Sequence, residues 1–272
     1  MKIGAIIESF RIDLREAVKR AAALGCEGIQ AYAIEGELAP ENMTSEKAKE
    51  WLKLVKDNGM VFSAICGDLT ATHSAIAKGF TNKDANKILV EKSMRILDLA
   101  KRLECNVVTT HIGVVPKEEN DTKKIMREAC RELALYADSI GSYFAVETGP
   151  ETADVLCEFL DSLGATGVRV NYDPANLVMV VADDPVKGVH TLSKYIVHTH
   201  AKDGIQVSAN PLKWKEVPLG QGGVKWDDYL MALNSVGFDG FLTIEREVGD
   251  TPEDDIKMAI GFLKERLKTL EI

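Results

Sequence analysis

Apolar positions along this chain fall into two alternating rhythms. In LREAVKRAAALG, SEKAKEWLKLVKDNG and MREACRELALYADSIG they recur at helical spacing, one face apolar and the other charged. In CEGIQAYA, MVFSAIC and SYFAVET they form short, nearly continuous runs of the kind that buried strands show. Gly25, Gly59, Gly141, Gly164 and Gly237 stand where each helix needs a left-handed residue to stop. The pattern predicts strands near residues 2–8, 27–33, 60–66, 106–111, 143–148, 167–172, 196–201 and 240–246. Helices are predicted in turn near 13–24, 45–58, 83–103, 121–140, 152–163, 184–194, 226–236 and 253–269. Eight such units imply an α/β chain closed into a single (β/α)8 barrel over residues 1–272, with no linker and no second domain. An open doubly wound sheet is the rival architecture, but the first strand-to-helix turn, ESFRID, has no glycine-rich phosphate loop.

Composition narrows the class further. A 46% hydrophobic and 28% charged chain with 8 Pro and 21 Gly suits one ordinary globular body without a long disordered tract. The net charge of −9 repels phosphate backbones, so nucleic acid is not the expected partner. No window approaches a membrane span. The N-terminal run in MKIGAIIESF is short, ends at Glu8 and lacks a signal peptide's cleavage pattern, so the expected location is cytoplasmic, away from membranes. Cys26, Cys66, Cys105, Cys130 and Cys157 are odd in number and widely spaced, which suits reduced core thiols better than a disulfide frame or a zinc cluster.

In a (β/α)8 barrel the chemistry gathers at the C-terminal ends of the strands. Those ends read Glu8, Tyr32, Asp68, His111, Glu147, Asp173, His200 and Glu245, seven of them carboxyl or imidazole groups. Burying so many ionisable groups is costly unless they are paired or hold a metal. Glu147, Asp173, His200 and Glu245 are separated by 26, 27 and 45 residues, the last gap being one unit plus a long loop. They therefore come from consecutive strands and converge. Three carboxylates and one imidazole suit one divalent metal ion, Mn²⁺ first, with Mg²⁺, Co²⁺ or Zn²⁺ as alternatives. In YIVHTHAKDG, His198, His200 and Lys202 share one face of the strand. His200 is the expected ligand. His198, a layer deeper, and Asn171, at the same depth below Asp173, are expected to orient the ligands. Lys202 either holds a substrate oxygen or pairs with Asp203 or Asp173.

The segments FAVETG, NYDPANLVM with ADDPV after it, IVHTHAKDG, VPLGQGGVKW and GFDGFLTIEREVGD resemble the sugar phosphate isomerase/epimerase family with the xylose isomerase-like TIM barrel. That family includes ketose 3-epimerases, inosose dehydratases and, distantly, AP endonucleases. The resemblance implies a metal on Glu147, Asp173, His200 and Glu245, with the two glutamates also acting as the acid–base pair. Proton abstraction next to a carbonyl gives an enediolate, and return of the proton to the other face gives an epimer. Return to the neighbouring carbon gives an aldose–ketose isomer, and departure of a hydroxyl gives a dehydratase. The expected partner is a small sugar or polyol ketone, and a homo-oligomer is compatible with the fold.

Around that centre, His111, Glu8 and Asp68 are candidates for hydroxyl recognition, and Trp214 for a lid that stacks on a sugar face. Glu247 returns to the face of Glu245 and competes for its role, whereas Arg246 points away and Trp226 is expected in the core. PLGQGG could offer backbone N–H groups to an anion, beside Lys213, Lys215 and Lys225. His73, in a loop near the mouth, and His190, on a helix, receive no role. An AP endonuclease needs further histidines. This chain has Asn176 and the run Trp214, Lys215, Glu216 where that family carries them. A non-catalytic sugar binder would have no use for paired Glu147 and Glu245.

Overall fold

The computed structural model describes residues 1–70 and 78–272; His73 lies outside them. In chain order the strands are β1 (Lys2–Ile6), β2 (Gly28–Tyr32), β3 (Val61–Cys66), β4 (Val107–Thr110), β5 (Tyr143–Glu147), β6 (Val168–Tyr172), β7 (Ile196–Ala201), β8 (Asp203–Ala209), β9 (Leu212–Val217) and β10 (Phe241–Ile244). Eight of them, all but β8 and β9, close into a parallel barrel in which β1 lies between β10 and β2. The helices are α1 (Leu14–Leu24), α2 (Ser45–Asp57), α3 (Lys83–Arg102), α4 (Asp121–Ile140), α5 (Ala153–Asp161), the single turn α6 (Pro174–Asn176), α7 (Pro185–Leu192), α8 (Trp226–Ser235) and α9 (Pro252–Leu270). The chain is thus an α/β protein with a (β/α)8 barrel.

Local chemistry explains the boundaries. Asp13 accepts from the N–H groups of Arg15 and Glu16 to start α1, and Gly25, at φ +88°, ends it. Along α4 the buried residues Met126, Cys130, Leu133 and Ala137 make one stripe against the sheet. Each fully buried Leu or Met in such a stripe contributes about 1.5–3 kcal/mol relative to exposure. All five cysteines are free thiols, four of them buried. No helix among the described residues is long and apolar enough to cross a membrane.

Three segments depart from the expected pattern, one of them the turn α6 with the π-helical turn Leu177–Val181 after it, where no helix is expected. The first strand stops at Ile6, and Glu8 sits in a 3-10 turn over Ile7–Phe10, because Arg11 takes a left-handed conformation (φ +56°) and its N–H bonds back to the Glu8 carbonyl. The stretch after β7, expected to be a loop, contains the antiparallel hairpin β8–β9, with Asp203 opposite Val217 at its base. Its strands lie outside the barrel and are largely exposed. They carry alternating polar and apolar residues instead of a buried apolar run, so a search for barrel strands passes over them.

Inside the barrel the side chains form layers. At the N-terminal end Lys2 lies over the Phe241 ring and Arg169 over that of Tyr143, each at 5.5 Å. Above them is a polar floor of Gln30, Ser63, Thr109, Asn171, His198 and Thr243, all buried. The candidate site rests on that floor.

Candidate active site

Glu147 is the last residue of β5, Asp173 follows β6, His200 lies near the end of β7 and Glu245 follows β10. All four are buried, and one ligand atom from each lies within 4.8 Å of the others. Asp173 caps α6: its Oδ1 accepts from the N–H groups of Ala175 at 2.7 Å and Asn176 at 3.1 Å. The other oxygen, Oδ2, is buried with no hydrogen-bond partner among the described residues. Burial raises the Asp173 carboxyl to about 7, with the negative charges of Glu147 and Glu245 adding to the effect and Lys202 opposing it. An orphaned carboxylate oxygen among two more carboxylates and an imidazole is what a divalent cation fits. The four residues are therefore suited to hold one.

The surrounding bonds fix each of these groups. His200 Nδ1 stands 3.4 Å from Glu147 Oε2 and 3.2 Å from Glu245 Oε2. Burial disfavours the imidazolium, yet the facing Glu245 and Glu147 outweigh it and hold His200 well above the ordinary histidine range. Asn171 donates to Glu147 Oε2 at 3.2 Å, and Asn176 donates to Glu147 Oε1 at 2.9 Å. Burial pushes the Glu147 carboxyl up, but His200 and His111 together bring it below the usual value. Glu245 is likewise raised by burial and lowered further by Lys202 and His200, so it is held ionised. Lys202 Nζ lies 3.0 Å from Glu245 Oε2 and 2.5 Å from Glu247 Oε2. Its partners are thus these two glutamates; neither Asp203 nor Asp173 bonds it.

Beneath the cluster, His198 Nδ1 bonds Asn171 Oδ1 at 2.8 Å, and its Nε2 bonds the Thr243 hydroxyl at 2.8 Å. Since the amide oxygen only accepts, His198 carries its proton on Nδ1 and accepts from Thr243 on Nε2. Burial, with His200 nearby, lowers its proton affinity well below the ordinary value and keeps it neutral. Above the cluster opens a cavity of about 650 Å³ whose polar wall includes His111, Lys202 and Glu247 and whose apolar wall includes Pro150, Met179 and Trp214. His111 Nε2 stands 3.8 Å from Glu147 Oε1.

A model of the xylose isomerase-like TIM barrel family matches residues 18–266. The chain belongs to that family. A curated relative, an uncharacterized protein of Methanocaldococcus jannaschii, is 23% identical over 180 residues; the match covers 61% of this chain and 59% of the relative's length. Among solved structures, a xylose isomerase domain protein from Planctomyces limnophilus is 24% identical with a TM-score of 0.85, covering 99% of this chain and 98% of that one. D-psicose 3-epimerase from Clostridium cellulolyticum H10, solved with D-tagatose, has 17% identity and a TM-score of 0.78 over 98% and 99% of the two chains. The probable 3-DHS dehydratase AsbF of Bacillus anthracis has 21% identity and a TM-score of 0.75 over 97% and 99%. At such identities these likenesses establish the fold.

Within this xylose isomerase-like barrel the remaining candidates take separate places. Glu8 Oε1 accepts from the Tyr32 N–H at 2.9 Å, and burial raises its carboxyl to about 7. Asp68 Oδ1 closes a local turn by accepting from the N–H and hydroxyl of Thr70. Trp214 projects from β9 at the rim of the cavity, 49% exposed. Trp226 is buried, as expected, and its Nε1 donates to Asp203 at 3.0 Å. Arg246 bonds Glu216 of β9 at 2.5 Å and Asp255 of α9 at 2.8 Å, tying the hairpin to the barrel. His190 is exposed on α7.

The PLGQGG loop is not an anion cup. The N–H groups of Gly220, Gly222 and Val224 all donate to the Asp203 carboxylate, at 3.0, 3.0 and 3.2 Å. That of Gln221 donates to the Pro218 carbonyl, and that of Gly223 to the Gly204 carbonyl. Five consecutive N–H groups thus have internal partners. Two residues of the site itself, Gln30 and Asn176, were not assigned to it from the sequence. Gln30 shares the inward face of β2 with Tyr32, a signal the strand alternation carries. Asn176, at the end of α6, lines the cavity and reaches Glu147, a contact that no periodicity announces.

Proposed function

We propose that this chain is a divalent-metal-dependent sugar isomerase/epimerase that abstracts a proton next to a carbonyl. The observation that carries the reading is the buried convergence of Glu147, Asp173, His200 and Glu245 on the partnerless Asp173 Oδ2. These four residues would hold the metal, with Mn²⁺, Mg²⁺ or Co²⁺ best matched to the oxygen-rich set and Zn²⁺ next. When bound, the cation supplies positive charge that offsets the charge an enediolate carries. Glu147, kept ionised by His200 and His111 and oriented by Asn171 and Asn176, removes the proton. Glu245, ionised until the adjacent Lys202 ammonium gives it a proton, passes that proton to the other face, and solvent carries the proton left on Glu147 back to Lys202. His111 and Lys202 hold substrate oxygens, and Trp214 covers an apolar face of the ring.

A second reading, dehydration of an inosose or keto-sugar, is favoured by Lys202, an ammonium group in the cavity that can stabilise a departing hydroxyl. The fold shared with the probable dehydratase AsbF is compatible with it. Phosphodiester cleavage is disfavoured, since Asn176 bonds Glu147 and Glu216 bonds Arg246 at positions where a three-zinc site needs ligands. The occupied N–H groups of PLGQGG favour an unphosphorylated substrate.

The test is mass spectrometry of ketoses, sugar phosphates and inososes incubated in D₂O with Mn²⁺ and the protein, beside a Glu147→Gln variant. Deuterium gained by one compound and absent with the variant supports epimerisation or isomerisation, and loss of water selects dehydration. No change in any compound, with Mn²⁺ bound, refutes the sugar reading.

A further inference from the structure

Gln30 is fully buried in the middle of β2, a polar side chain in an otherwise apolar strand. Its Oε1 lies 3.1 Å from His200 Nε2, and its Nε2 donates to the Thr109 hydroxyl at 3.3 Å. The opposite nitrogen of the same imidazole, Nδ1, faces Glu147 and Glu245. A cation among these carboxylates needs a lone pair on Nδ1, which leaves the ring proton on Nε2. That N–H is buried and requires an acceptor. Asn171, the other neighbour of the ring, approaches it through its Nδ2, a donor. Among the described residues Gln30 Oε1 is the acceptor within reach.

We infer that Gln30 is a positioning residue for the metal centre: by accepting the His200 Nε2–H it locks the tautomer and ring orientation that aim Nδ1 at the cation, while Thr109 holds the amide in register. The inference rests on the proposed metal site and adds to it a partner outside the ligand set. Such partners commonly set metal affinity by 10–100-fold. A neutral amide performs this without adding a fourth negative charge to a site that already has three carboxylates.

The experiment is calorimetric titration of the metal-free protein with Mn²⁺, for the native chain, Gln30→Leu and Gln30→Glu, alongside thermal unfolding of each without metal. Gln30→Leu, which fills the space but accepts no hydrogen bond, is expected to weaken Mn²⁺ binding by about 10–100-fold. Gln30→Glu, which keeps an acceptor that the Thr109 hydroxyl can also serve, is expected to restore native affinity or exceed it. A Gln30→Leu variant with altered melting but native Mn²⁺ affinity would show a packing role only and overturn the inference. Should that variant not fold, Thr109→Val replaces it, with weaker Mn²⁺ binding expected and native affinity overturning the idea. A native chain that binds no divalent metal would overturn the metal site itself and this inference with it, an outcome distinct from a loss confined to the variants.

Discussion

Asp173 and Glu151 each bury a carboxyl oxygen that no donor among the described residues reaches, and their surroundings decide what each oxygen is for. Around Asp173 stand Lys202, His200 and two further carboxylates, a set that a cation completes. Among the described residues Glu151 accepts only from the Val115 N–H, at 3.0 Å, and burial drives its carboxyl from 4.5 up to about 7. The folded state therefore holds that proton more tightly than the unfolded chain, and stability falls as pH rises from the ordinary value through 7. The full effect corresponds to about 3 kcal/mol. Glu151→Gln keeps the acceptor for Val115 and removes the ionisation. Urea denaturation should find it more stable than the native chain at about pH 8, by up to that amount, and equal to it below about pH 4. Ionisable residues at strand ends are easy to read in a sequence, because alternation puts Glu147, Asp173, His200 and Glu245 at the barrel mouth. Gln30 and Asn176 are harder: an uncharged amide resembles any polar residue until the backbone shows what it faces.

At the scale of elements, the eight barrel strands and their helices were legible because each is a short apolar run beside an amphipathic period. The β8–β9 hairpin was not, because it buries little and is held by polar contacts that no periodicity announces. Asp203 is its anchor. Its two oxygens accept from the backbone of Gly204, Gly220, Gly222 and Val224 and from the Trp226 indole. Asp203→Asn turns one acceptor oxygen into a donor facing two or three of those N–H groups. Each buried group left unsatisfied costs about 1–3 kcal/mol. Chemical denaturation should show a loss of at least about 2 kcal/mol, and Trp226 emission should shift as its Nε1 partner is lost.

For the whole molecule, the repeat of eight βα units along the sequence predicts the closed barrel, and the family match over residues 18–266 agrees. What the sequence leaves open is how the barrel responds to a divalent cation. Mn²⁺ at 100 times its Kd should stabilise the native chain by about 2.7 kcal/mol, reversed by a chelator in a thermal-shift assay. Asp173→Asn should abolish that response. Yet it should leave the metal-free protein at least as stable as the native chain, because the amide oxygen still caps α6 and the buried carboxyl at this position is gone. The hairpin adds a consequence of another kind. Its two feet, Asp203 and Val217, lie side by side, fastened from below by the Asp203 contacts, while Gln206 Nε2 donates to the Met179 carbonyl and Glu216 bonds Arg246, so the arm is tied down as far as Gln206 and its tip, residues 207–213, extends beyond. Segments of other length and sequence can be grafted at that tip without touching the strand ends that carry Glu147, Asp173, His200 and Glu245, which makes the tip the place to alter what approaches the cavity that Trp214 borders.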